Sequence, residues 1–224
     1  MSGRLKNLPS AVVFDLDGTL IDSRADIASA CNHVLQWAGR APLPVETISG
    51  FVGDGARSLL GRAFGISVTA PDIEALFAEW ERYYLAHPVD HTTLMPGAER
   101  ALTELHSRAI PLAIVTNKAR QVTLAIIQAL RIEPKLQALY AGGDGPLKPD
   151  PQAIHAIARA LRLPTSSLWV VGDGTQDIEA ARAAGAHAIA IAGGFHHDTK
   201  LRAAAPDAWF NSLDDFIAAL PPAH

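Results

Sequence analysis

The sequence predicts an α/β fold in which a parallel sheet carries helices on both faces. Residues 11–14 form a short apolar run that is typical of a buried strand. Strand and helix patterns alternate from Pro96 onward, whereas residues 23–94 show helical periodicity alone. We therefore expect residues 1–22 and 95–224 to form an α/β core domain, and residues 23–94 to form an inserted helical domain.

Each element has its own signal in the sequence. Apolar residues at helical spacing between Ile27 and Ala38, and again between Ile73 and Tyr84, predict two amphipathic helices in the insertion. In the core, apolar runs predict strands at 111–115, 139–141, 168–171 and 188–191. Helical patterns lie next to them, at 99–108, 122–130, 154–161 and 178–185. Strands joined through helices in this way predict a Rossmann-like parallel sheet.

The composition argues against several classes of protein. The 224 residues are 49% hydrophobic and 19% charged, which suits a globular chain with a sizeable core. A formal net charge of −4 without a dense Lys/Arg cluster argues against nucleic-acid binding. No apolar run reaches the roughly 18 residues of a membrane helix, and no signal-peptide pattern is present. We expect a cytoplasmic monomer or homodimer without membrane partners, in which the single Cys31 is a buried thiol.

Two carboxylates, Asp15 and Asp17, follow the first predicted strand directly. A buried strand end is a costly place for charge unless a cation or a reaction compensates for the lost hydration. Gly18 and Thr19 come next and form a sharp turn whose backbone N–H groups can face an anion. The alternative is a solvated turn, since Asp and Gly are common in turns.

Other polar side chains follow other predicted strands. Thr116 and Asn117 come after the second strand, Asp173 after the strand at 168–171, and Lys148 lies in a Gly-rich loop. The carboxyl ends of parallel strands meet at one edge of a sheet, so these residues are expected to converge. Carboxylates beside an ammonium group suggest Mg²⁺ together with an anionic substrate. No His/Cys cluster has zinc spacing, and His196 and His197 are interpreted as solvated loop residues.

The motifs resemble those of the haloacid dehalogenase superfamily in order and spacing over essentially the whole chain. Asp15–Leu20 is similar to the first motif, Val115–Asn117 to the second, Lys148–Pro149 to the third and Gly172–Asp177 to the fourth. The helical insertion after the first motif resembles a type-one cap domain. One departure is Gly174, where related phosphatases often carry Ser.

The resemblance implies a role for each motif residue. Asp15 is implied as the nucleophile that forms an aspartyl-phosphate, and Asp17 as the general acid and base. Thr116, Asn117 and Lys148 are implied to bind the phosphoryl group. The implied metal ligands are Asp15, Asp17 through its backbone carbonyl, and Asp173. Asp177 is implied to orient Lys148 or a metal-bound water; its alternative is an ordinary acid in the first turn of a helix.

Within the superfamily the chain most resembles the phosphoglycolate phosphatases, on the segment Phe51–Leu60. This implies hydrolysis of 2-phosphoglycolate, with Gly53 allowing close approach and Arg57 binding the substrate carboxylate. The alternative is that residues 52–55 form a simple turn and Arg57 is solvated. Two other functions stay open: a phosphatase or phosphomutase for a sugar phosphate or nucleotide monophosphate, and a non-catalytic regulator of the same fold.

Overall fold

The computed structural model, which describes residues 7–222, contains the predicted parallel sheet. The strands in chain order are β1 Ala11–Phe14, β2 Ile21–Asp22, β3 Thr93–Leu94, β4 Leu112–Ala119, β5 Ala138–Gly142, β6 Leu168–Gly172, β7 His187–Ile191 and β8 Ala208–Phe210. Six of them form one sheet in the order β5-β4-β1-β6-β7-β8, and every neighbouring pair is parallel.

The central strand β1 shows why this sheet is covered on both faces. Its side chains are all buried, and they alternate between two apolar layers. Val12 and Phe14 belong to one layer, whereas Ala11 and Val13 belong to the other. A strand that is apolar at every position needs partners on both sides, and the helices supply them.

The helices lie between the strands and in the insertion. In chain order they are α1 Arg24–Trp37, α2 Val45–Ser49, α3 Ala56–Phe64, α4 Ile73–Ala86, α5 Ala98–Ser107, α6 Arg120–Ala129, α7 Gln152–Leu161, α8 Thr175–Ala184, α9 Asp198–Ala203 and α10 Leu213–Ala218. Short 3₁₀ turns occur at Glu133–Lys135 and Thr165–Ser167. In the described range, no helix is long and apolar enough to cross a membrane.

The helical insertion, α1 to α4, leaves and rejoins the rest of the chain through a small antiparallel sheet. Strand β2 pairs with β3, so that Ile21 lies opposite Leu94. The buried Asp26 carboxylate accepts hydrogen bonds from the Thr92 backbone N–H at 2.7 Å and from the Thr92 hydroxyl at 2.6 Å. These bonds join the start of α1 to the segment before β3. That the insertion behaves as a separate cap remains a prediction.

The structure adds elements that the sequence patterns did not predict. Helices α2, α3, α9 and α10, and strands β2, β3 and β8, are too short for a clear periodic signal. Strand β4 continues to Ala119, beyond the expected end at residue 115, because Ala119 pairs with Gly142 of β5 after an irregularity in the register. Cys31 is buried as predicted, and burial raises the pKa of its thiol to about 12.

Candidate active site

The polar residues converge at the carboxyl ends of β1, β4 and β6. The chain builds the sheet outward from β1 through β4 to β5 and then returns to β6 on the other side of β1. This reversal between β1 and β6 leaves a crevice beyond the strand ends, the usual ligand position in such sheets. Asp15 follows β1 and Asp173 follows β6, so both carboxylates lie at the crevice.

Three buried carboxylates form an acidic trio. Asp15, Asp173 and Asp177 each offer an oxygen, and these oxygens all lie within 4.8 Å of one another. Asp177 stands in the first turn of α8, and its carboxylate accepts the backbone N–H of Gly174 at 2.9 Å. Hard carboxylate oxygens that are desolvated and close together suit a small divalent cation. The trio therefore fits such an ion.

The Lys148 ammonium lies against two members of the trio. Its Nζ donates to Asp15 at 2.7 Å, to Asp177 at 2.5 Å and to the Val115 carbonyl at 2.8 Å. The structure thus shows the predicted contact between Asp177 and Lys148. Burial by itself would lower the pKa of Lys148, but the two carboxylates outweigh burial and raise the pKa, so the ammonium stays charged.

This arrangement destabilises the charged form of Asp15. Burial raises its pKa to about 7, and repulsion from Asp177 adds to the effect, while Lys148 opposes it. A carboxylate whose charge is this poorly compensated attracts a cation and can act as a nucleophile. Glycine at position 18 keeps this site compact: its φ is +86°, and a Cβ there would lie 2.5 Å from an Asp173 oxygen.

Asp173 is held by groups from two loops. Thr19 donates its hydroxyl at 2.8 Å, and the Phe195 backbone N–H donates at 2.7 Å. The His196 ring nitrogen lies 3.3 Å from the same carboxylate, and this contact raises the His196 pKa. The interpretation of His196 as a solvated residue is therefore wrong, since the loop after β7 folds back over the site. His197 is exposed, as predicted.

Asp17 belongs to a second group of polar side chains, outside the trio. Its carboxylate accepts from the Ser23 hydroxyl at 2.5 Å and from Lys118 Nζ at 3.0 and 3.2 Å. The Tyr84 hydroxyl lies 3.1 Å from the same ammonium group. Burial alone would lower the pKa of Lys118, but Asp17 outweighs it and raises the pKa to about 12. Asp17 and Lys118 thus form a buried ion pair.

Lys118 is a site residue that was not among those predicted from the sequence. A signal was present, because Lys118 directly follows Thr116 and Asn117 at the end of β4. Thr116 is buried beside the cavity described below, and its oxygen accepts the Lys118 backbone N–H at 3.2 Å, which leaves the hydroxyl hydrogen to donate.

Asn117 differs from the expected phosphate contact. Its side-chain nitrogen donates to the carbonyls of Gly53 at 2.8 Å and Lys148 at 2.9 Å, while its oxygen accepts the Lys148 backbone N–H at 2.8 Å. The amide is fully engaged by backbone groups, so it is not free to hold a phosphoryl group. It instead joins the insertion to the third motif.

Gly53 and Arg57, the two candidates in the insertion, lie in different places. Gly53 has φ of +126°, and a Cβ there would lie 2.8 Å from His196 Nε2. Gly53 therefore approaches the core as closely as expected. Arg57 does not line the cavity beside Asp15. Its half-exposed guanidinium binds Glu74 with two bonds of 2.7 Å and stacks on Phe77.

The cavity above Asp15 has a volume of about 40 Å³. Its polar side carries Asp15, Asp17, Thr116, Lys118, Lys148 and His196, and its apolar side comes from the insertion, through Ile27, Val52, Leu59 and Trp80. Sites for drug-sized ligands measure about 300–1,000 Å³. In this conformation the cavity therefore suits a very small ligand.

The structure explains how the chain tolerates Gly174 in the fourth motif. A Cβ at this position would overlap the side-chain amide of Gln176, at 2.5 Å from its carbonyl carbon and oxygen. Gln176 is nearly buried and lines the cavity. The space that a serine side chain would use is thus filled by a polar amide from two residues further along.

Comparison with known families agrees with this geometry. The model of the haloacid dehalogenase-like hydrolases matches residues 12–191. The chain belongs to this family of hydrolases, and both the predicted membership and the predicted fold class are confirmed.

Individual relatives are similar over most of their length. The phosphoglycolate phosphatase of Pseudomonas fluorescens Pf-5 is 33% identical over 215 residues, which are 94% of this chain and 79% of that protein. The phosphoglycolate phosphatase of Chromobacterium violaceum is 37% identical over 194 residues, 83% of this chain and 86% of that protein. A crystal structure described as a predicted phosphoglycolate phosphatase from Haemophilus somnus 129PT has a TM-score of 0.87 at 24% identity, covers 96% of this chain and 99% of its own, and so shows the same fold.

Proposed function

We propose that the protein is a Mg²⁺-dependent phosphatase for small phosphate monoesters, foremost 2-phosphoglycolate. One observation carries the proposal: the buried Asp15 carboxylate lies beside Lys148 and two further carboxylates, at the floor of a small cavity. The named relatives support the choice of substrate, since those of Pseudomonas fluorescens and Chromobacterium violaceum are phosphoglycolate phosphatases.

In the first step Asp15 attacks phosphorus. A bond forms between a carboxylate oxygen and phosphorus, and the bond from phosphorus to the organic oxygen breaks. Lys148 balances negative charge on Asp15 and on the phosphoryl oxygens, and the Thr116 hydroxyl donates to one of those oxygens. Asp15, Asp173 and the Asp17 backbone carbonyl would hold Mg²⁺, which when bound offsets charge on the phosphate and the carboxylates.

Asp17 moves the proton in both steps. In its protonated form Asp17 gives a proton to the leaving oxygen, which departs as an alcohol. The resulting carboxylate, paired with Lys118, then takes a proton from the water that attacks phosphorus, which restores the acid. The bond between phosphorus and Asp15 breaks, and inorganic phosphate leaves. Ser23 and Lys118 hold the Asp17 carboxylate in place during the cycle. We further propose that residues 23–94 act as a cap that closes over Asp15 and excludes bulk water.

A substrate panel tests this function. We would measure phosphate release from 2-phosphoglycolate, ethyl phosphate, glucose 6-phosphate and a nucleoside monophosphate, with and without Mg²⁺. The expected result is the highest kcat/KM for 2-phosphoglycolate, because a small cavity favours a compact leaving group and the named relatives are phosphoglycolate phosphatases. A preference for glucose 6-phosphate, or interconversion of glucose phosphates without net release, would replace this proposal with a sugar phosphatase or a mutase.

A further inference from the structure

One buried hydrogen-bond donor in the cavity wall has no protein partner. Trp80 on α4 is 2% exposed and lines the cavity above Asp15. Among residues 7–222, no group accepts a hydrogen bond from its indole Nε1. Leaving a buried donor unpaired costs stability, so each such group in a native protein calls for an explanation. A ligand bound in the cavity can supply the missing acceptor.

A cation from the sheet side lies close to this indole. Lys118 of β4 lines the cavity together with Trp80, and its ammonium lies 3.1 Å from the Tyr84 hydroxyl, one helical turn beyond Trp80. The Trp80 and Tyr84 rings pack edge to face at 5.1 Å between their centroids, so Tyr84 links the indole to the ammonium. The cavity therefore has a positive charge on its sheet side near an unpaired N–H group on its insertion side.

The other basic groups near the cavity are less suited to a second anion. Both lysines already donate three hydrogen bonds, but the charge of Lys148 is offset by two carboxylates, those of Asp15 and Asp177, whereas Lys118 faces only the Asp17 carboxylate. His196 lies against Asp173, and Arg57 is held by Glu74 outside the cavity. Lys118 is bound to Asp17, the residue proposed to protonate the leaving oxygen. A cation beside the proton donor is close to whatever group the leaving oxygen carries.

We propose that Trp80 and Lys118 form a subsite for a carboxylate on the leaving group, with the indole N–H and the ammonium as its donors. The inference rests on the proposed phosphatase function and deepens it. In a 2-phosphooxy acid only one carbon separates the ester oxygen from the carboxylate, so an ester oxygen at Asp17 brings the carboxylate next to Lys118.

The test compares 2-phosphoglycolate with ethyl phosphate, in which a methyl group replaces the carboxylate. Trp80→Phe keeps an aromatic ring but removes the N–H, and Lys118→Met keeps most of the length of the side chain but removes the charge. The matched control is Trp37→Phe, because Trp37 is 58% exposed on α1 and has no contact with the cavity. For each variant we would measure kcat/KM for 2-phosphoglycolate and for ethyl phosphate.

The ratio of the two kcat/KM values is the readout, since it cancels any effect on Asp17 or on folding. We expect this ratio to fall about tenfold in Trp80→Phe and roughly tenfold to a hundredfold in Lys118→Met, the loss typical of a hydrogen bond to a charged group. The control should keep the wild-type ratio. Equal losses on both esters would overturn the subsite and leave Lys118 as a residue that only holds Asp17.

A binding measurement separates this inference from the proposed function. We would titrate 2-phosphoglycolate and ethyl phosphate into Asp15→Asn protein by calorimetry, with Mg²⁺ present, alone and combined with each substitution. Tighter binding of 2-phosphoglycolate that is lost in Trp80→Phe and Lys118→Met supports the subsite, even if the wild-type protein releases no phosphate. Equal affinity for both esters overturns the subsite, even if hydrolysis itself is confirmed.

Discussion

The two sides of the cavity are built from different parts of the chain and differ in how their polar groups are satisfied. On the sheet side, Lys148 is saturated by two carboxylates and a carbonyl, and Asp173 accepts from two donors. On the insertion side, the walls are apolar, and the Trp80 N–H has no partner within the described residues. The sheet side is therefore preorganised for a reaction, whereas the insertion side is completed by its ligand.

The largest expected effect comes from a substitution on the sheet side of the cavity. Asp15→Asn keeps the shape of the side chain and removes the attacking charge, so we expect turnover of 2-phosphoglycolate to fall by at least about a thousandfold. Phosphate release measures this loss, and mass spectrometry excludes deamidation back to Asp. Asp198→Asn is the matched control, since Asp198 is exposed at the start of α9. Wild-type turnover in Asp15→Asn would rule out the aspartyl-phosphate route.

Removing the cation should affect the sheet side nearly as strongly. With EDTA, Asp15 and Asp173 lose the proposed cation that offsets their charge, so we expect activity to vanish and to return with added Mg²⁺. Ca²⁺ should inhibit, because its larger and looser coordination displaces the attacking carboxylate. Phosphate release under each condition is the measurement. Full activity after exhaustive chelation would show that the trio serves another purpose.

A change at Gly53 tests how closely the insertion must approach the sheet side. Gly53→Ala adds a Cβ at 2.8 Å from His196 Nε2 and places a side chain on a backbone with φ of +126°. We expect kcat/KM to fall about tenfold, since strain of about 1–2 kcal/mol opposes closure. Gly39→Ala is the matched control: it has φ of +72°, but its Cβ would meet nothing within 4 Å. Equal losses in both variants would assign the effect to backbone strain alone.

The charge of Asp15 should also lower stability when no cation is present. Its pKa is raised to about 7, so the charged form disfavours folding, and stability falls as the pH rises from about 4 to about 7. In EDTA at pH 8, Asp15→Asn should melt about 2–6 °C above wild type, and the difference should shrink at pH 5. Scanning calorimetry at both pH values measures this. A lower melting temperature at pH 8 would mean that the contact with Lys148 dominates.

The smallest expected effect concerns Arg57. Because its guanidinium is bound by Glu74 and lies outside the cavity, Arg57→Ala should change the preference for 2-phosphoglycolate over ethyl phosphate by less than about twofold. Steady-state kinetics on both esters provide the test. A tenfold loss of kcat/KM on 2-phosphoglycolate alone would show that Arg57 binds the substrate and that the insertion rearranges on binding.

Much of the sheet side was accessible from the sequence. Buried strands are short apolar runs, and Asp15 and Asp173 follow such runs closely, while Lys148 lies in the loop after another strand, so the sequence alone predicts that all three lie at one edge of the sheet. Asp177 was found as well, because it lies four residues after Asp173 at the start of a helix. These predictions depend on the spacing of residues along the chain, and folding does not change that spacing.

The contacts on the insertion side could not be predicted from spacing along the chain. In the sequence Arg57 is the obvious anion-binding residue of its segment, yet Glu74, 17 positions away, binds it on folding. In the sequence Trp80 is one apolar residue in a helical pattern, and only the packing of α4 against α1, α3 and α6 shows that its N–H lacks an acceptor among the described residues. Asn117, likewise, is engaged by carbonyls 64 and 31 residues away.

The sequence by itself determined the fold class, the acidic and basic residues at the strand ends, and the family. The tertiary structure decided which charges pair with each other, which donor is left unpaired and how small the cavity is. The physical reason is that strand periodicity and motif spacing are local properties of the chain, whereas the partner of a polar group depends on contacts between residues far apart in sequence.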